Sequence, residues 1–339
     1  MQREGFSDEK VYHAITMMVL SHISALEYWL SVRIGSRSFV KVPQAPALIS
    51  KPPSAEPTEG LGPWRLARPL HVLVARDSLR RRGALVCHVW KGALPKGSVL
   101  DTQNGFCVCS PEVCFLQMAS ILSLVELIQL GFELCGTYDL SSDDVRECPS
   151  LTSVSKLTAC IEKIPNVNGR KKALRALRYI AENSASPMET SLVMLQCLPY
   201  RFGGYGMEMP LLNFRIDVTG QARRFTSRSY FKADLYWPAF KLIAEYDSDK
   251  YHKEARRKAS DSERRNALEA MGYTVVSITL DLVDNRASMA RVANVLAKHT
   301  GRRLTYVEPE FTVACIKLRS VLFSGERYGL NAERAHQRQ

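Results

Sequence analysis

Between Phe231 and Asp247 the chain reads FKADLYWPAFKLIAEYD, two apolar stretches of strand-forming residues broken by Pro238-Ala239. Proline cannot donate to a β-ladder, so one strand must end before it and the next begin after it. Strands this close in sequence pair as an antiparallel hairpin. With Pro238-Ala239 as a tight turn, Trp237 falls opposite Phe240 and Asp234 opposite Ile243. Glu245 is then the diagonal neighbour of Asp234 on the same face. Asp247 shares that face, because residues two apart on a strand point the same way. Three carboxylates are therefore expected within reach of one another. Like charges so close in a half-buried sheet are costly unless a cation offsets them, and hard oxygen ligands suit Mg²⁺ or Mn²⁺. The plainer alternative makes Asp234 and Asp247 strand-end residues facing solvent.

The flanking pattern extends the hairpin into an α/β core. A helix opens at Ser186-Pro187 and runs through Glu189 to Leu198, and a plain turn follows at Gly203, Gly204 and Gly206. Strands are predicted over about 211–219, 229–237 and 240–247, a polar helix over 251–271 ending at Gly272, a strand over 273–279 and a helix over 285–299. The order is α-β-β-β-α-β with one more helix. The glycine fingerprint of a dinucleotide-binding unit is absent. His252 opens the polar helix five residues beyond Asp247, where a group titrating near neutrality could move protons. Behind it come Lys253, Arg256, Arg257, Lys258, Arg264 and Arg265. Acids for a metal beside a basic helix suit phosphodiester hydrolysis: the metal activates water, and the basic face holds the backbone.

The first half is built differently. Residues 9–33 have helical spacing, and six prolines between Pro43 and Pro63 exclude a helix or central strand, leaving a linker or arm. Short β-rich pieces follow from Leu70, then one long helix from Pro111 to about Leu130, making 64–140 a small α+β unit. Two helices fill 151–183, and the second places Lys171, Arg175 and Arg178 on one face, either solvated or contacting phosphate. The expected segments are a helix in 1–40, a linker in 41–63, an α+β domain in 64–150, a helical connector in 151–183, the larger core in 184–300, and a C-terminal strand or helix with its tail in 301–339. The fold class is α+β to α/β, an αβββαβ core with a smaller α+β domain before it.

Charge separates the two parts. Residues 1–150 balance at 15 basic and 15 acidic, so the whole net +12 lies in 151–339. That asymmetry favours an acidic partner such as DNA for the second part. Apolar residues at 46% and charged residues at 24% exclude collagen-like, coiled-coil and disordered chains. Met1 leads into Arg3, Glu4, Asp8 and Glu9 rather than an apolar leader, so the nine cysteines are expected as reduced thiols of a cytoplasmic protein. Cys107, Cys109, Cys114 and His88 fit no common zinc spacing and are expected in the core. The most apolar run, Cys114 to Cys135, is interrupted by Gln117, Glu126, Gln129 and Glu133, too polar to cross a membrane.

The run ADLYWPAFKLIAEYDSDKYH, with Asp261, Arg264, Leu268 and Gly272-Tyr273 after it, resembles the endonuclease-like domains related to very-short-patch repair endonucleases, within the PD-(D/E)xK or restriction-endonuclease-like superfamily. The resemblance covers about residues 184–300. It implies a metal-dependent endonuclease acting on DNA, with Asp234 as first acid, Glu245 as second, Glu189 as the extra acid of the opening helix and His252 as the active-site histidine. Asp247 stands where the motif's lysine would be, leaving that role to His252, Lys250 or Lys241. Ser248 replaces the glycine that usually follows, which permits a non-cleaving copy. Residues 64–140 more faintly resemble abortive-infection antitoxins of type IV toxin–antitoxin systems, through Arg80 to Arg82, VCHVWKGALPKGSVL and CSPEVCFLQMA. That implies a cognate toxin or defence-system partner. The alternative functions are a catalytically inactive nucleic-acid-binding regulator and an interaction protein whose N-terminal half binds a partner.

Overall fold

The computed structural model describes residues 18–32, 40–41, 66–80, 85–139, 145–247, 255–324 and 328, with backbone alone for 40–41 and 255–261. The fold is mixed α+β and divides into two compact units. The first comprises Met1–Leu134, Asp139–Arg178 and Ser324–Gln339; the second comprises Cys135–Tyr138 and Tyr179–Phe323. The helices expected as a connector over 151–183 therefore belong, up to Arg178, to the first unit. Residues 151–178 hold seven basic residues against one acidic, so part of the charge excess lies outside the second unit. Among the described residues, no helix is long and apolar enough to cross a membrane.

In the first unit, strands β1 (Val19–Leu20), β2 (Val40–Lys41), β3 (Leu70–Val74), β4 (Leu85–Val89), β5 (Val99–Asp101) and β6 (Cys107–Cys109) form one sheet in the order β2-β5-β6-β1-β3-β4. Its helices are α1 (His22–Val32), α2 (Pro111–Met118), α3 (Leu124–Cys135), α4 (Val154–Lys163) and α5 (Arg170–Leu177). The long helix expected from Pro111 is two helices. Ser110 caps the first, accepting from the Val113 N–H, with Pro111 at its first position. Ser123 and Glu126 form a reciprocal capping box, Ser123 N to Glu126 Oε2 at 2.8 Å and Glu126 N to Ser123 Oγ at 3.3 Å, which starts the second. Cys107 and Cys109 are fully buried beside Phe106, and burial pushes both thiols up to about 12, as protonated core residues.

The second unit contains α6 (Pro187–Cys197), β7 (Leu211–Asp217), β8 (Tyr230–Trp237), β9 (Leu242–Asp247), α7 (Ala255–Ala270), β10 (Thr274–Thr279), α8 (Leu280–Asp284), α9 (Arg286–His299) and α10 (Glu310–Leu322). The sheet order is β10-β9-β8-β7. β7/β8 and β8/β9 are antiparallel, and β9/β10 are parallel, joined by the crossover helix α7 as parallel pairing requires. Ala267 and Leu268 of α7 bury against Phe231, Ala233 and Ile243 of the sheet. The glycine turn after α6 serves packing: Gly203 has φ +87, and a Cβ there would lie 2.4 Å from the Ala314 carbonyl oxygen on α10.

The hairpin differs from the tight turn expected. Pro238–Phe240 form a 3₁₀ turn, and Lys241 follows in the left-handed region with φ +46. Trp237 therefore pairs with Leu242 rather than Phe240, and Leu235 with Ala244. The register moves by two residues, which keeps every side chain on its expected face but places Asp234 across from Glu245 rather than Ile243.

Candidate active site

Asp234 lies in the middle of a row of polar residues crossing the sheet. On the β7 side the pairs Ala233↔Phe214 and Leu235↔Leu212 leave Asn213 beside it. On the β9 side Glu245 stands one step beyond the Leu235↔Ala244 pair. Asp234 Oδ2 accepts from the Tyr246 N–H at 2.9 Å, so the carboxylate terminates the ladder.

Glu189 approaches from the first turn of α6. Ser186 caps this helix, accepting from the Glu189 N–H at 3.1 Å and donating its hydroxyl to Glu189 Oε1 at 3.1 Å. Glu189 Oε2 accepts from the Ala185 N–H at 2.8 Å and from Asn213 Nδ2 at 2.6 Å. Asn213 also donates to the Asn183 carbonyl at 2.8 Å, and its backbone is left-handed, φ +48. Asparagine tolerates that conformation better than most residues. Three donors thus fix a buried acid next to Asp234.

Burial raises the proton affinity of all three acids. Glu189 is pushed up to about 7, by burial first and by the charge of Asp234 second, against its three hydrogen bonds. Asp234 is raised by burial and held back by the Tyr246 N–H and Arg264. Glu245 is raised by burial, lowered by Arg264 and raised by Asp234. Asp234 thus interacts with both other carboxylates, a paired-acid environment of the kind that shares and moves protons.

Arg264 of α7 is the counter-cation. Its Nη2 donates to Glu245 Oε1 and to the Lys232 carbonyl, and the two side chains are 27% and 21% exposed. Arg264 was expected on the DNA-facing surface; it is turned inward, because Glu245 is a half-buried charge that needs a partner. Arg264→Ala should cost about 1–3 kcal/mol in chemical denaturation, below the fully buried value because the pair remains partly hydrated. A double-mutant cycle with Glu245→Gln isolates the pair.

The other expected residues are placed as follows. Asp247 ends β9 on the face of Glu245, half-buried and paired in register with Thr279. Two residues of strand, some 6–7 Å, separate it from Glu245. Among the described residues no three His, Cys, Asp or Glu side chains form a metal-binding group. The expected trio Asp234, Glu245 and Asp247 is thus replaced by the pair Asp234 and Glu245, with Glu189 tied into its own hydrogen bonds. Arg265 is exposed and donates to Ser277 Oγ at 2.9 Å. Arg256, Arg257 and Lys258 lie on the first turns of α7. Lys171 and Arg175 are exposed on α5, in the first unit. His252, Lys253 and Lys250 lie outside the described residues. The donor chemistry of Asp234 and Glu245 fits a hard divalent cation, since Mg²⁺ is commonly held by one or two carboxylates with substrate phosphate completing its shell. Asn213 was missed: its signal, an asparagine within a predicted strand, has many other causes.

No protein-family model matches the chain, and no solved structure matches it. Two curated proteins from strains of Mycobacterium tuberculosis, each described as uncharacterized, are 27% identical over 146 residues, 43% of this chain. The matched region is 44% of each relative, so the chain aligns with under half the length of the curated relatives it matches.

Proposed function

We propose that the second unit is a metal-dependent endonuclease that hydrolyses DNA phosphodiester bonds. The observation that carries this reading is the placement of Asp234 between Glu189 and Glu245, on the β-strands of an α-β-β-β-α-β unit with arginines on the crossover helix. The sequence resemblance to PD-(D/E)xK nucleases supports the same reading. Asp234 and Glu245 are the residues that would hold Mg²⁺ or Mn²⁺. When bound, such an ion polarises the phosphate and makes a metal-held water a stronger nucleophile. Glu189, with a proton affinity near neutrality, holds a proton beside Asp234 that can be exchanged with the attacking water or the leaving oxygen. Arg264 favours the ionised form of Glu245 against burial, and the cations of α7 offer phosphate contacts. His252 is assigned proton transfer on its sequence position alone; His252→Ala should lower turnover by about 10²–10⁴-fold.

One observation favours a second reading, a non-cleaving nucleic-acid-binding regulator: Arg264 already neutralises Glu245. Nicking of supercoiled plasmid separates the two. The nuclease reading expects Mg²⁺- or Mn²⁺-dependent nicking abolished by EDTA. DNA binding that weakens steeply with salt, without any cleavage, supports the regulator.

A further inference from the structure

A second cluster of chemistry-bearing residues lies in the first unit. His22, His71 and His88 come from α1, β3 and β4. The rings of His22 and His88 stack with centroids 3.6 Å apart and planes at 20°. His88 Nε2 and His71 Nδ1 share a hydrogen bond of 3.0 Å. His22 has a left-handed backbone, φ +46, uncommon outside glycine. Gln117 of α2 locks it there, accepting from the His22 N–H at 3.0 Å, while the Cys114 thiol donates to the His22 carbonyl at 3.6 Å. A backbone held away from its preferred regions by two partners often marks a site.

His22 and His88 open into a cavity of about 450 Å³, a size in the range of small-ligand sites. Trp90, Val86 and Leu116 add apolar surface, and Arg80 and Lys91 contribute cations from exposed positions. Asn166, Asn168, Gln117 and Ser120 supply further hydrogen-bonding groups. Gly169 lets the Asn166–Asn168 loop approach: a Cβ there would lie 2.7 Å from the backbone of Ala119. Among the described residues, no aspartate or glutamate lines the cavity. Arg80 Nε donates to Asp77 Oδ1 at 2.8 Å, with both side chains largely exposed.

Three histidines invite a metal, yet the geometry does not hold one. A stacked pair presents ring edges side by side rather than converging, and His88 Nε2 is occupied by His71. Burial, with His71 and Arg80, holds His88 down to about 4, and burial with His88 and His71 holds His22 lower still. Both rings are therefore neutral at pH 7. They serve as stacking surfaces and hydrogen-bond partners, and the positive charge of the site comes from Arg80 and Lys91.

We propose that this cleft binds a phosphorylated, ring-bearing small molecule about the size of a mononucleotide, its phosphate on Arg80 and Lys91 and its ring against Trp90 and the stacked imidazoles. The described lining explains each part: Arg80 and Lys91 for the anion, aromatic faces for the ring, and a cavity too small for a folded partner.

The test is isothermal titration of the full chain with AMP, adenosine and inorganic phosphate. AMP is expected to bind saturably and adenosine about 10²-fold more weakly, having lost two charge-assisted contacts. Arg80→Ala and Lys91→Ala should each weaken AMP about tenfold, and His88→Gln should do so through lost stacking. Arg80 and Lys91 are exposed, so their loss leaves the core intact. AMP should also shift the imidazole resonances of His22 and His88 in the NMR spectrum. Absence of saturable AMP binding, adenosine or inorganic phosphate binding as tightly as AMP, or unchanged affinity in all three variants would each overturn the proposal. None of these readouts uses DNA cleavage, so the outcome is independent of the nuclease reading.

Discussion

Asp234→Asn should reduce metal-dependent plasmid nicking by at least about 10³-fold, roughly 4 kcal/mol of transition-state stabilisation. The substitution keeps an oxygen that can accept from the Tyr246 N–H, so the ladder end is preserved while the charge is removed. Folding should not suffer, because the residue removed is an acid whose ionised form burial disfavours. A second readout does not depend on catalysis. Asp234 contributes to the raised proton affinity of Glu189, so the Glu189 carboxyl resonance should titrate at lower pH in Asp234→Asn. Nicking at the wild-type rate would remove Asp234 from the reaction. An unmoved Glu189 titration would mean that burial alone sets its proton affinity.

Stability of the second unit should fall as pH rises from about 4.5 to about 7, and Glu189→Gln should remove much of that dependence. Glu189 has an ordinary value of 4.5 and is pushed up to about 7 in the fold, so folding takes up a proton between those values. The contribution is fully present below pH 4.5 and is lost as pH rises through 7. A shift of this size corresponds to about 3 kcal/mol. Asp234 and Glu245 are raised in the same direction and add to the slope. Glutamine can accept from the Ala185 N–H through its carbonyl oxygen and meet Ser186 through its amide, at no cost in charge. At pH 8 Glu189→Gln should therefore be more stable than the wild type by about 2–3 kcal/mol, with little difference at pH 4.5. Urea denaturation at both pH values measures this, and equal pH slopes for the two proteins would contradict it.

Much of the second unit was legible without coordinates, because its signals are local. Apolar stretches of strand-forming residues marked strands β8 and β9, Ser186-Pro187 marked the start of α6, and Gly272 the end of α7. Each needs only neighbouring residues to act. The face shared by Asp234 and Glu245 was legible for the same reason: strand alternation survives a register shift of two. The shift itself was not, since it depends on Lys241 adopting a left-handed backbone. The Ser123 and Glu126 capping box was local and visible, but the apolar run around it masked the break between α2 and α3.

What only the tertiary structure decided were the long-range matches. Arg264 lies 19 positions from Glu245 and turns inward because a half-buried carboxylate needs a cation. Asn213 reaches Glu189 across 24 positions, from a strand whose register alone places it beside Asp234. The helices α4 and α5 fall in the first unit although their basic residues read as part of the second half. His22, His71 and His88 carry no spacing that links them, and they meet because α1, β3 and β4 pack together. Local pattern sets which residues can form an element and which face they share, whereas the pairing of distant polar groups is chosen by the free energy of burying them, which exists only once the elements are packed.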